Sequence, residues 1–121
     1  MKEKKILIID DDPRNIFALS AVLRAKGYTP ISAPSATDGI AMLDHHQEIG
    51  VVLMDIMMPD MDGYEAIARI RQMKGLEELP VIAVTAQAMV GDREKCLEAG
   101  ATDYVSKPID VDRLLNILKT L

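Results

Sequence analysis

Tryptophan is absent from this chain, phenylalanine occurs once, and cysteine occurs once, at Cys96. A lone cysteine excludes an internal disulfide and fits a reducing compartment, so a cytoplasmic location is expected. Cys96 stands among Arg93, Glu94, Lys95 and Glu98, with no histidine close by in sequence. An ordinary, partly buried helix residue is expected there rather than a reactive thiol. No run of about 18 apolar residues occurs, so no membrane-spanning helix and no membrane partner are expected. The opening "MKEKKILIID" has basic residues and then a short apolar run, without a small-residue cleavage site. It does not read as a signal peptide. An excess of positive charge is also missing. The formal net charge is −5, which argues against gripping nucleic acid through its phosphates. Cations and basic protein surfaces remain as partners.

What is present is enough for one core. The 121 residues are 49% hydrophobic and 27% charged, a globular composition that fits a single domain spanning 1–121. No internal repeat, low-complexity tract or linker divides it. Short apolar runs at residues 5–9, 28–33, 51–54, 81–85 and 103–105 read as strands. Between them apolar residues recur at helical spacing: Ile16, Leu19, Val22 and Leu23; Ile40 and Leu43; Tyr64, Ile67 and Ile70; Val111, Leu114, Leu115 and Leu118. The segment from Met89 to Ala99 is less regular. Asp12 before Pro13 reads as a helix N-cap. Ser35 and Asp110 read as caps, and Asp62 with Glu65 as a capping box. Gly27, Gly75 and Gly100 are placed to close helices.

Five strand–helix repeats imply a parallel sheet with helices on both faces. The continuously apolar Ile6–Ile9 and 51–54 suit strands buried on both sides. Right-handed crossovers bring all strand C-termini to one edge. The first strand ends in Asp10, Asp11 and Asp12, the third in Asp55, the fourth in Thr85, and the fifth leads into Ser106, Lys107 and Pro108. The second ends in Ala33 and Pro34, with no comparable group. Strand order 2-1-3-4-5 would put that strand outside and gather the other four ends at the switch point of a flavodoxin-like (βα)5 sheet. Carboxylates crowded in a crevice resist joint ionisation. A divalent cation relieves them, and hard oxygen ligands suit Mg²⁺. With the Lys107 ammonium and the Thr85 hydroxyl, such a site neutralises a phosphoryl group. Asp55, at the end of the central strand, is the natural nucleophile, because a carboxylate can form an acyl phosphate.

The segments "ILIIDDD", "VVLMDIMMPDMDG", "VIAVTA" and "AGATDYVSKPI" are similar in order and spacing to the motifs of response-regulator receiver domains, the family of the bacterial chemotaxis response regulator. The resemblance covers essentially the whole chain. It implies that Asp55 is the phosphoacceptor. It implies that Asp10 and Asp11 bind Mg²⁺ or Mn²⁺ together with Asp55 and the backbone carbonyl of Met57. Thr85 and Tyr104 match the switch pair and Lys107 the phosphate-pairing lysine. The Lys107–Pro108 bond matches one that is usually cis in the family. The resemblance also implies a histidine kinase or histidine phosphotransfer domain as donor. It implies self-catalysed phosphorylation and dephosphorylation rather than turnover of a substrate. An output surface, and a homodimer contact left open, would lie on the fourth helix, fifth strand and fifth helix. Met57 would shield the phosphoryl group from water, whereas Gln87 could orient water toward it. The stretch "DDDPRNIFALSAVLRAKGY" looks like receivers attached to hybrid sensor kinases, so a receiver cut from a longer protein stands beside a stand-alone regulator as a reading. The kinase, effector and pathway are not named by the sequence.

Plainer readings accompany several of these residues. Asp12 reads as a cap rather than a third ligand, and Asp60 and Asp62 as turn and cap residues. His45 and His46 fall near the end of the second helix, away from the strand C-termini, and read as solvent-facing. Met54, Met57, Met58 and Met61 are expected mostly to fill core and loop. Tyr104 alone would be a strand residue and Lys107 alone a surface lysine. A haloacid-dehalogenase-type phosphatase would need its nucleophile after the first strand and room for a cap domain. A flavodoxin would need a Ser, Thr and Gly loop where this chain has "DDDPRN". A receiver that binds partners without taking phosphate is the third alternative, opposed by the complete set of acidic, threonine and lysine residues.

Overall fold

A computed structural model of the chain describes residues 3–45, 47–86 and 91–121. Strands and helices alternate: β1 Lys5–Ile9, α1 Pro13–Ala25, β2 Thr29–Ala33, α2 Ala36–Leu43, β3 Ile49–Asp55, α3 Gly63–Gln72, β4 Val81–Thr85, α4 Asp92–Ala99, β5 Asp103–Ser106 and α5 Val111–Lys119. The sheet is parallel throughout, in the order β2-β1-β3-β4-β5. This is the expected flavodoxin-like arrangement. No helix among the described residues is long and apolar enough to cross a membrane.

The strand pleat divides the core in two. Ile6, Ile8, Val51, Leu53, Ile82 and Val84 face one side, where Leu19 and Leu23 of α1 and Leu114 and Leu118 of α5 cover them. Leu7, Ile9, Val52, Met54 and Ala83 face the other, against Leu43 of α2, Ile67 and Ile70 of α3 and Cys96 of α4. Successive strand residues point to opposite faces, so a central strand covered on both sides has to be apolar at nearly every position. Cys96 is fully buried, beyond the partial burial expected.

Local signals account for most boundaries. Asp12 accepts from the Arg14 N–H with Pro13 in the first turn of α1. Ser35 accepts from the Asp38 N–H and Asp110 from the Arg113 N–H. Asp62 caps α3 through the Tyr64 N–H, while Glu65 lies 3.7 Å from Arg69 one turn on. Gly100 closes α4 at φ 114°. Gly75 does not close α3. The helix stops at Met73, whose backbone is extended, and Gly75 takes φ 87° in the loop beyond. β3 is longer at both ends than its apolar run. Pro30 is tolerated in β2 because that strand is at the sheet edge.

One irregularity sets the alignment of the strand ends. The β1–β3 register shifts between Lys5 and Ile6, which face Ile49 and Val51, so Gly50 is passed over. From there the pairing runs regularly to Ile9 opposite Met54. The following residues are Asp10 and Asp55. A side chain at Gly63 would put its Cβ 2.5 Å from the Ile56 Cα. Only glycine lets α3 start this close to the end of β3.

Candidate functional site

The register carries the chemistry to one edge. Asp55 faces Val84 across β3–β4, and Thr85 faces Ser106 across β4–β5. The Lys107 N–H donates to the Thr85 carbonyl at 2.7 Å, which continues the ladder one residue and locates the lysine. Its peptide bond to Pro108 is cis, as the resemblance implies. Asp10, Asp55 and Thr85 are buried polar residues in a molecule whose other charged groups are largely at the surface.

The Lys107 ammonium lies 3.3 Å from Asp55 Oδ2 and 3.8 Å from Asp10 Oδ2. The remaining oxygens are oriented by backbone: Asp55 Oδ1 accepts from the Met57 N–H at 3.1 Å and Asp10 Oδ1 from the Asp12 N–H at 2.9 Å. Burial pushes the Asp10 pKa above the ordinary carboxylate range. The Asp12 N–H and Lys107 oppose this, and the neighbouring Asp55 charge adds to it. Asp11 is exposed at the mouth. Asp10, Asp11 and Asp55 each offer an oxygen, all within 4.8 Å of one another, and no other such group occurs among the described residues. Three hard oxygen donors, one at the solvent edge, fit a small divalent cation that keeps some of its water.

Asp12 serves as the cap expected of it, and the Arg14 N–H holds its carboxyl below the usual range. Met54 and Met58 are buried and Met61 is packed against the core, whereas Met57 is 59% exposed at the rim of the site. Tyr104 is partly buried. Its ring lies 5.4 Å below the Arg113 guanidinium, and Arg113 also donates to the Tyr104 carbonyl and to Asp103. His45 is exposed beyond α2. Gln87, Met89 and His46 lie outside the described residues.

Two contacts have no local sequence signal. The Thr37 N–H and hydroxyl both donate to Asp60 Oδ2, at 3.2 and 3.1 Å, tying the loop after Asp55 to the first turn of α2. Arg71 donates to the carbonyls of Gly100, Leu76 and Leu79, joining α3 to the end of α4. An acidic turn residue and a helical arginine read as surface until their distant partners are known.

Residues 6–119 match the response regulator receiver domain, and the chain belongs to that family. It is 39% identical over 113 residues to the signal transduction histidine-protein kinase BarA of Escherichia coli (strain K12), covering 93% of this chain and 12% of that protein. It is 34% identical over 118 residues to the polar-differentiation response regulator DivK of Brucella ovis, covering 97% of this chain and 94% of DivK. Among solved structures, the receiver domain of sensor histidine kinase PA1611 from Pseudomonas aeruginosa PAO1 is 36% identical with a TM-score of 0.87, over 97% of this chain and 95% of that one. That structure has a magnesium ion coordinated in its active site cleft. The chain is therefore a phosphoacceptor switch module of two-component signalling rather than a turnover enzyme. Receivers of this family work with histidine kinases or phosphotransfer proteins.

Proposed function

We propose that residues 1–121 form one receiver domain in which Asp55 accepts a phosphoryl group from a phosphohistidine of a kinase or phosphotransfer protein in the cytoplasm. The single observation that carries this is the Asp55 carboxylate, 3% exposed at the end of the central strand, with Lys107 at 3.3 Å and two further aspartates beside it. A carboxylate oxygen of Asp55 forms the P–O bond as the P–N bond to the donor imidazole breaks, and the imidazole leaves as the neutral base once protonated. Asp10, Asp11, Asp55 and the Met57 carbonyl would hold Mg²⁺. When bound, the ion supplies positive charge against the phosphoryl oxygens. The Met57 N–H fixes the orientation of Asp55, and Lys107 neutralises an oxygen of the incoming group. The domain thus assists its own phosphorylation, and water later cleaves the acyl phosphate. Thr85 and Tyr104 lie on adjacent strands, with Tyr104 facing Ala83 in the ladder. Movement of Thr85 toward the phosphoryl group, with the Tyr104 ring turning inward as it moves, shifts the population between two packings and alters the face made by α4, β5 and α5. An effector or a second copy would read that face. Since the chain spans only 12% of BarA, a place inside a longer kinase fits as well as an independent regulator.

The test is intact mass after incubation with acetyl phosphate, with and without Mg²⁺, on the wild type and Asp55→Asn. One phosphoryl group that needs both Mg²⁺ and Asp55 is the expected result. No adduct together with no Mg²⁺ binding would overturn the proposal in favour of a phosphate-independent interaction module.

A further inference from the structure

The side of the sheet covered by α1 and α5 is not filled to the edge. A cavity of about 270 Å³ opens between the two helices and runs to the carboxylates. Its floor is Ile8, Leu53 and Val84, from three neighbouring strands. Its walls are Ala18 and Val22 of α1 opposite Ile109, in the loop before α5, and Val111, the first residue of α5. Leu19 and Leu23 of α1 reach the sheet and are buried, whereas Ala18, at the rim, is too short to reach the α5 side. The charged lining is confined to one end, where Asp10, Asp55 and Lys107 meet.

We propose that this cavity is a binding site for a small amphiphilic cation, an aryl or alkyl amidinium or ammonium. The apolar body would lie between α1 and α5 and the charged head against Asp10 and Asp55. Size supports it. A dry cavity of about 150 Å³ holds benzene, so this one accommodates a ring and its substituent. Charge supports it as well. Three aspartates against one lysine leave the head end negative, and an amidinium matches carboxylate oxygens by parallel hydrogen bonds. The ligand occupies the carboxylates that would otherwise hold a metal ion, so binding of one excludes the other. The inference uses the charge of Asp10 and Asp55 and does not require that they take phosphate.

The experiment titrates the isotope-labelled chain with benzamidine, with benzamide (the ring without the charge) and with acetamidine (the charge without the ring), following backbone amide shifts. Benzamidine is expected to saturate shifts at Ala18, Val22, Ile109 and Val111. Its dissociation constant should be at least about tenfold below that of acetamidine, as burial of one ring implies, and at least about tenfold below that of benzamide, as the charged pairing with a carboxylate implies. Added Mg²⁺ should weaken benzamidine and leave benzamide unchanged. Ala18→Leu, which fills the rim without touching a carboxylate, should erase the advantage over acetamidine and keep the response to Mg²⁺. Asp10→Asn should erase the advantage over benzamide. Equal binding of acetamidine, equal binding of benzamide, or no saturable shift would each overturn the inference. A chain that takes phosphate but not benzamidine refutes the cavity site alone. One that binds benzamidine but takes no phosphate refutes the phosphoacceptor proposal alone.

Discussion

Replacing Arg71 by methionine should be among the costliest single changes outside the apolar core. The guanidinium leaves the last turn of α3 and donates to three carbonyls: Gly100 at 2.9 Å, Leu76 at 3.1 Å and Leu79 at 2.5 Å. None of these carbonyls lies within a helix or strand, and of the three only that of Leu76 also accepts from a loop N–H, that of Leu79. Burial lowers the Arg71 pKa, but an arginine stays charged. Hydrogen bonds to a charged group contribute about 1.5–3 kcal/mol each. Arg71 is only partly buried, so water replaces part of the loss, and about 2–4 kcal/mol remains. For a chain of this length that lowers the melting temperature by roughly 8–16 °C. Methionine keeps the aliphatic packing and removes only the donors. Urea unfolding should show the midpoint falling with an unchanged slope. Lysine should recover little, because one ammonium cannot reproduce a planar fork. The response to Mg²⁺ should survive in both variants. A loss below about 1 kcal/mol in Arg71→Met would refute the claim that this side chain braces α3 against α4.

Other consequences can be checked separately. Mg²⁺ at tenfold excess over its dissociation constant should stabilise the native state by about 1.4 kcal/mol, or about 5 °C in melting temperature, and Asp55→Asn should shrink that shift. An unchanged melting temperature would count against the metal site. At Asp60, burial acts to raise the pKa, but the Thr37 N–H and hydroxyl outweigh it and hold it below the ordinary value. The contact is therefore fully stabilising above the ordinary carboxylate range and is lost as pH falls through the lowered pKa. A double-mutant cycle of Asp60→Asn with Thr37→Val should give a coupling below about 1 kcal/mol at neutral pH that vanishes in acid. A coupling indifferent to pH would mean that the carboxylate charge is not involved. Met57→Asn should speed loss of the phosphoryl group roughly tenfold, since a polar group at the exposed rim can orient water. An unchanged lifetime, read by mass spectrometry after removal of donor, would dismiss the shielding role.

Much of this was legible from the order of residues, for an identifiable reason. Strands buried on both faces announce themselves as unbroken apolar runs, and Asp12, Ser35, Asp62 and Asp110 are caps whose partners lie within three residues. Those signals place Asp10, Asp55, Thr85 and Lys107 at one sheet edge before any coordinates exist. What escaped is non-local. Asp60 meets Thr37 across 23 positions and Arg71 meets Gly100 across 29, so neither pattern is periodic. The passed-over Gly50, which sets Asp10 beside Asp55, belongs to the pairing of two strands and to neither strand alone. At the end of α3, Gly75 is the obvious helix breaker in sequence, yet the extended backbone of Met73 ends the helix first.

Asp10, Asp55 and Lys107 stand at strand ends, and each is tied to the neighbouring strand through backbone atoms, which any side chain supplies. The working groups can be exchanged without unpicking the pairs that hold the strands together. A chain disabled by Asp55→Asn should therefore remain folded, abundant and correctly shaped on its outer faces. Expressed beside a working copy, it would occupy the same donor without passing anything on. Loss of function at this one carboxylate is then expected to be genetically dominant, whereas damage to the apolar strands, which removes the protein altogether, is expected to be recessive.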